Sequence, residues 1–345
     1  MKIAILTPTF NHYSGVDRVA QDRAEKLTNK GHNVTVFASE AKIKPKGYKI
    51  KKIGSLKNFS RIYKRFLPFY YTKEIYVRML KGYDEVISFI YPMDALAYRA
   101  KRKYGTKYIA WFSGIDPEVG FFESLYMKFY KLFYYWFLNR ADKIVCVSNF
   151  TKNRLLEDNP NIKIKNIDVE YCKNEIDTKR FNKYAKSNNK VKIGEIIERY
   201  DLKNKKIFLY VGRLAKSKRI NLLIKSFNKV KTNCPNSKLI IVGPPTFRGY
   251  FKRLLKLADE DIIFTGFVPD KDLPAYYALC DSFVTASHYE GFNLPAVEAQ
   301  ACGKPVVAFD IGSHSEVIDK KKRILVPEGD INGFANAMLK YAGSA

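Results

Sequence analysis

The sequence predicts an α/β protein built from two doubly wound, Rossmann-like domains facing a cleft. Three observations carry that expectation. Short β-like runs alternate with helix-like stretches through both halves of the chain. At 345 residues with 46% hydrophobic content, the chain is long enough to bury two cores. Between the halves, over 178–205, Lys, Asn and Ser dominate and the apolar pattern weakens. The expected organisation is a first domain over 1–177, a linker over 178–205 carrying a short helix over 193–200, and a second domain over 206–345.

In the first half, strands are expected at Lys2–Leu6, Asn33–Phe37, Glu85–Ile90, Lys107–Trp111 and Lys143–Val147. Each is a run of Val, Ile, Phe or Tyr too short for a helix. In the second half they are expected at Lys206–Val211, Lys238–Val242, Ile262–Thr265, Ser282–Thr285, Pro305–Phe309 and Arg323–Val326, with helical stretches between. The aromatic run Phe121–Phe137 reads as a buried helix.

Five cysteines, odd in number and without C-x-x-C spacing, argue against a disulfide framework or a zinc site, and a reducing cytoplasm fits them. Lys2–Thr7 is β-like and is followed by Pro8, unlike a signal peptide, and no uncharged run reaches the roughly 18 residues of a spanning helix. The net charge is +27, and residues 41–80 hold twelve Lys or Arg against the single acid Glu74. Such a balance implies an anionic partner: acidic lipid, a phosphorylated acceptor, or nucleic acid. Within that region Leu56, Phe59, Ile62, Tyr63, Phe66 and Leu67 recur at helical spacing with Lys57, Arg61, Lys64 and Arg65 on other faces. This pattern reads either as a helix docking on an anionic membrane surface or as a surface helix packed on its own sheet.

The most informative stretch is Glu290-Gly-Phe-Asn-Leu-Pro-Ala-Val-Glu298, leading into Ala-Cys-Gly303-Lys-Pro305. Pro295 suits the first helical position, so Gly291–Leu294 are expected to form the turn, with Glu290 on the loop and Glu298 one turn into the helix. The free N–H groups of a helix start make an anion site, here flanked by two carboxylates able to bind hydroxyls. A sugar phosphate meets that description. Gly212-Arg213-Leu-Ala-Lys-Ser-Lys218 follows the strand Lys206–Val211 and places two cations at the carboxyl edge of the same sheet, where α/β folds bind ligands.

Glu-x7-Glu before Ala-Cys-Gly-x-Pro-Val-Val, then Gly312-Ser-His-Ser-Glu316, resembles the donor-site signature of the retaining, GT-B-fold family 4 glycosyltransferases. The resemblance runs from Lys2 to about Pro327. It implies that Glu290 holds hydroxyls of the transferred sugar, Glu298 holds the ribose, and the amides of Phe292, Asn293 and Leu294 meet the diphosphate. Arg213 and Lys218 resemble the family's Gly-Arg-Leu-x-x-x-Lys cations, with Arg219 where glycine is usual. The implied donor-binding set is Gly15, Gly212, Arg213, Lys218, Val268, Glu290, Gly291, Phe292, Asn293, Leu294 and Glu298, with Arg213, Lys218 and Glu290 catalytic. Ser14-Gly15 stands where the family has two glycines, and Asn174-Glu-Ile-Asp177 with Phe181 resembles the motif closing the first domain, Glu175 replacing its glycine. Many relatives carry a histidine after the strand equivalent to Lys107–Trp111, but this chain reads Trp111-Phe-Ser-Gly-Ile-Asp116.

The implied reaction is metal-independent transfer of a hexose from a UDP- or GDP-activated sugar to a hydroxyl of a glycan or lipid-linked acceptor, without a cofactor. Asp259-Glu260-Asp261 precedes a strand, so it reads as a solvated acidic turn and not as a metal-binding pair. A dinucleotide oxidoreductase would need G-x-G-x-x-G after the first strand, and it is absent. Two other functions compete: a nucleotide-sugar epimerase or phosphorylase on the same fold, and a basic nucleic-acid-binding protein. The latter leaves Glu-x7-Glu unexplained, so nucleic acid is not the expected partner. Only one helix-like stretch, Ile331–Tyr341, follows the last strand, where the family usually continues with further helices, so a short or trimmed member is expected.

Overall fold

The computed structural model describes residues 1–11, 15–54, 71–115, 121–160, 162, 167–171, 180–182 and 190–343. The expected basic amphipathic helix over 56–67, the Asn174–Asp177 motif and Ser14 lie outside them. The chain forms two compact units, Met1–Ile115 with Val119–Glu175, and Ile176–Ala345 with Asp116–Glu118.

In the first unit the described elements run β1 (Lys2–Phe10), α1 (Gly15–Asn29), β2 (Asn33–Ala41), β3 (Lys49–Lys52), α2 (Glu74–Arg78), β4 (Glu85–Ser88), α3 (Met93–Tyr104), β5 (Lys107–Phe112), α4 (Phe121–Leu138), β6 (Lys143–Cys146), α5 (Asn149–Asp158) and β7 (Ile167–Val169). The sheet order is β3-β2-β1-β4-β5-β6-β7, with every pairing parallel. A parallel strand with helices on both faces must be apolar on both. Accordingly Ile3, Ala4, Ile5 and Leu6 of the central strand are at most 1% exposed. The order in which strands are added reverses between β1 and β4, a switch point at whose carboxyl ends folds of this kind bind ligands.

The second unit repeats the plan. Its elements are α6 (Lys190–Arg199), β8 (Lys206–Val211), α7 (Ile220–Asn233), β9 (Ser237–Val242), α8 (Arg248–Leu257), β10 (Ile262–Gly266), α9 (Leu273–Leu279), β11 (Ser282–Thr285), α10 (Leu294–Ala301), β12 (Val306–Phe309), α11 (His314–Val317), β13 (Arg323–Val326) and α12 (Ile331–Ala342). The order β10-β9-β8-β11-β12-β13 is again all parallel, with its switch point between β8 and β11. Ile220, Leu223, Ile224, Phe227 and Val230 of α7 recur at helical spacing and are fully buried against the sheet. Phe181, expected at the end of the first domain, is buried in this unit with its ring edge-on to Tyr277 of α9.

Two strands escape the sequence reading. β3 is the basic edge strand Lys-Ile-Lys-Lys, and β7 has three residues. The expectation for the aromatic helix needs correction. Tyr134, Tyr135 and Leu138 of α4 are buried, but Phe129, Leu132, Phe133 and Trp136 are 42–64% exposed on the opposite face. A helix apolar all round gives no period from which to read its orientation. Arg140 lies over the Trp136 ring at 3.5 Å. None of the described helices is long and apolar enough to cross a membrane.

Candidate functional site

The second unit assembles its charged cluster at the β8/β11 switch point. β8 ends at Val211, and the chain turns through Gly212 beside Gly243 of the neighbouring strand end. A Cβ on Gly243 would stand 2.0 Å from the Gly212 carbonyl oxygen, so the close approach of these two turns requires glycine. Arg213 follows, exposed, its side chain making no hydrogen bond or ion pair among the described residues. A short 3₁₀ turn, Lys216–Lys218, and Arg219 in the left-handed conformation then lead into α7.

From β11 the chain passes through Ser287, His288 and Glu290. The two loops are tied together directly: His288 N donates to Ser217 O at 2.8 Å, and Lys218 Nζ lies 2.8 Å from Glu290 Oε1. Glu328 supplies a third tie, its Oε1 2.6 Å from Arg219 Nη1 and 2.5 Å from His288 Nδ1. Ser287 Oγ also donates to Glu290 Oε1 at 2.8 Å. Burial alone would raise the Glu290 carboxyl, but the Lys218 ammonium outweighs it, with help from the Ser287 hydroxyl, and holds the carboxyl below its ordinary 4.5. Glu290 is thus an anion with one oxygen committed to a cation and a hydroxyl.

The helix start differs from expectation. α10 begins at Leu294, so Pro295 is its second residue and the turn ends at Asn293. The reason is Asn293: its φ of 60° and ψ of 66° are left-handed, and its side-chain oxygen accepts from Ala296 N at 3.3 Å. Pro295 has no N–H and Ala296 spends its own on this cap. Within the first turn the N–H groups of Leu294 and Val297 make no hydrogen bond among the described residues.

Glu298 is fully buried and accepts a 2.7 Å hydrogen bond from the Tyr277 hydroxyl. Gly291, Phe292 and Asn293 are also buried. Val268 stands apart. It follows the edge strand β10, two strands from β8 and so about 10 Å away, and lines a cavity of about 130 Å³ with Thr265, Pro269, Tyr276 and Ile196. Gly15 belongs to the first unit, at the start of α1 after β1. The structure therefore brings Gly212, Lys218, Arg219 and Glu290 to one sheet edge, with Asn293 and Leu294 at the head of the following helix.

Two residues with no role in the sequence reading belong to this cluster. His288 reaches Glu328, and His314 lies fully buried behind the Glu290 turn, its Nε2 2.8 Å from Asn293 Nδ2. Neither contact has a sequence signal, because the partners are 40 and 21 residues apart. The acidic turn Asp259–Asp261 is taken up by lysines: Asp259 pairs with Lys231 at 2.8 Å, and Asp261 with Lys231 and, at 2.9 Å, Lys238. Burial pushes the Cys146, Cys280 and Cys302 thiols up to about 12, far from thiolate chemistry at neutral pH.

The family model described as Glycosyl transferases group 1 matches residues 193–342, and the model described as Glycosyltransferase Family 4 matches 13–180. The chain belongs to the group 1 glycosyltransferases of the GT-B fold. Among curated relatives, it is 28% identical over 214 residues to the GDP-mannose-dependent alpha-(1-6)-phosphatidylinositol monomannoside mannosyltransferase of Mycolicibacterium smegmatis, covering 58% of this chain and 53% of that one. It is 34% identical over 152 residues to O-antigen chain mannosyltransferase B of Escherichia coli, covering 42% and 39%. The chain spans about half the length, or less, of these relatives. The fold matches Anabaena HepE, solved in complex with UDP and glucose, with a TM-score of 0.81 at 18% identity over 100% of this chain and 93% of that one. It also matches WaaG, a glycosyltransferase involved in lipopolysaccharide biosynthesis, with a TM-score of 0.72 at 14% identity over 99% and 90%.

Proposed function

We propose that this chain transfers a hexose, with retention, from a UDP- or GDP-activated sugar to a hydroxyl of an acceptor held by the first unit. The observation that carries the reading is the pairing of Lys218 with Glu290 at the β8/β11 switch point, where Arg213, unpaired among the described residues, follows β8. This is where an open parallel sheet binds ligands, and the charges suit a diphosphate next to a sugar. Breaking the sugar–phosphate bond leaves negative charge on the β-phosphate. Arg213, Lys218 and the Leu294 amide meet that charge as it develops, in place of a metal ion. The departing phosphate oxygen takes the acceptor's hydroxyl proton on the face it leaves, so the new bond forms on the same face. The second Glu290 oxygen anchors sugar hydroxyls; the resemblance gives Glu298 the ribose, although its carboxyl is fully buried against the Tyr277 hydroxyl. In this reading Val268, which follows β10 on the same sheet edge, meets the base.

The M. smegmatis relative, named for GDP-mannose, and the HepE complex with UDP and glucose support a nucleotide sugar donor. A lipid-linked or membrane glycan acceptor is supported by the net charge of +27, the basic region 41–80 and the exposed aromatic face of α4. Peripheral attachment to the inner face of a membrane follows from the same features.

The test is Glu290→Ala, assayed with UDP- and GDP-sugars. Transfer is expected to vanish while UDP or GDP affinity, read by thermal shift, is kept or strengthened because Lys218 is freed for phosphate. Undiminished turnover in this variant would refute the site.

A further inference from the structure

We propose that His314 is a positioning residue for the donor phosphates: acting through Asn293, it fixes the turn that opens α10. The inference rests on the donor-site reading above and adds to it the group that shapes the phosphate-facing turn. Its direction can be read from the hydrogen bonds. His314 Nδ1 lies 2.7 Å from the Phe309 carbonyl oxygen, which can only accept. The ring proton therefore sits on Nδ1, and Nε2 presents a lone pair. Asn293 Nδ2, at 2.8 Å, must be the donor to it, which leaves the Asn293 oxygen for Ala296 N. Only one orientation of the Asn293 amide satisfies both neighbours. That orientation holds a residue other than glycine in the left-handed conformation on which the start of α10 depends.

The same short segment grips the other end of the turn. Ser313 donates to the Glu290 carbonyl oxygen from both N, at 3.1 Å, and Oγ, at 3.3 Å. Gly312, at φ +55°, packs so close that a Cβ would stand 2.5 Å from that oxygen. Gly312, Ser313 and His314 thus hold Glu290 and Asn293 from behind, without facing the ligand themselves. His314 is fully buried and Asn293 is 6% exposed. The charged groups around His314 are Glu290, Lys218 and Asp310, with Arg323 Nη1 3.4 Å from its carbonyl oxygen. Burial keeps the imidazole below its ordinary 6.5 despite Glu290 and Asp310. A second proton would set N–H against the Asn293 amide and break the contact.

The experiment measures UDP and GDP affinity of the full chain by calorimetry between pH 5 and 8, for the parent, His314→Leu, His314→Gln and Asn293→Asp. His314→Leu keeps bulk but offers no acceptor, and a loss of about tenfold in affinity is expected. The Gln side chain can donate to Phe309 O and accept from Asn293, so affinity is expected within about threefold of the parent. Asn293→Asp still caps α10 but needs a proton on Nε2. Relative to the parent at each pH, its affinity is expected to improve as pH falls. The proposal is overturned if Leu and Gln lose affinity equally, if Leu loses none, or if Asn293→Asp follows the parent's profile. If the parent binds neither nucleotide, the donor-site reading fails and takes this inference with it.

Discussion

Replacing Lys218 by Met removes the ammonium from a carboxylate that has little water to turn to. The two side chains are 19% and 15% exposed and meet at 2.8 Å. Breaking a fully buried pair by deleting one partner costs about 3–5 kcal/mol. Two features reduce that figure here: the residual exposure, and the Ser287 hydroxyl that continues to donate to Glu290. A loss of about 2–3 kcal/mol at pH 7 is expected, which for a unit of this size lowers Tm by about 4–12 °C. The pH dependence gives the sharper test. In the parent, Glu290 sits below its unfolded value of 4.5, so its contribution is complete above that pH and is lost as pH falls through the folded value. In Lys218→Met burial, already the largest single influence, loses its main opponent and the carboxyl is expected to move above 4.5, which reverses the sign. The Tm gap between parent and variant is therefore expected to narrow as pH is lowered from 8 to 5. Lys218→Met combined with Glu290→Gln, which removes the stranded charge, is expected to recover at least half of the deficit. Calorimetric melting of the four proteins across that range is the assay. A pH-independent gap, or a double variant as unstable as the sum of the singles, would refute the reasoning.

Arg213→Ala is expected to leave Tm unchanged and to weaken UDP or GDP affinity by about ten- to a hundredfold, the worth of one charge-assisted hydrogen bond; titration calorimetry checks it. Gly312→Ala forces a Cβ against the Glu290 carbonyl oxygen at a positive φ, so both Tm and nucleotide affinity are expected to fall, by melting and calorimetry on one preparation. Because His314 is held below 6.5 by burial, its contribution to stability is complete above 6.5 and is lost as pH falls through the folded value. His314→Gln is expected to lose less Tm than the parent between pH 7 and 5. Leu132→Glu with Phe133→Glu on the exposed face of α4 is expected to abolish sedimentation with anionic vesicles while preserving the melting curve.

The central strands were legible because parallel strands buried on both faces must be apolar runs, and β8 and β11 match their expected bounds residue for residue. β3 was not, since an edge strand is protected by the lysines that disguise it. The positions of Arg213, Lys218 and Glu290 along the chain were legible from their strands, whereas the pairing of the last two needed the strand order. The start of α10 was misplaced by one residue because proline's preference for the first helical position was weighed without the left-handed cap that Asn293 supplies. His314 lay within the Gly312–Glu316 stretch that resembles the donor signature, but its role was not legible because it depends on a contact made by the fold alone.

The strand order β9-β8-β11 has a consequence for how the molecule matures. After β8 is made, the chain builds β9 and β10 on one side before returning to lay β11 on the other. No contiguous early portion of the second unit can therefore contain the charged cluster, because Lys218 waits for Glu290 until that return is complete. Nucleotide capture therefore requires a chain that extends past β11, and a chain cut before Glu290 has no partner for Lys218 with which to grip a diphosphate.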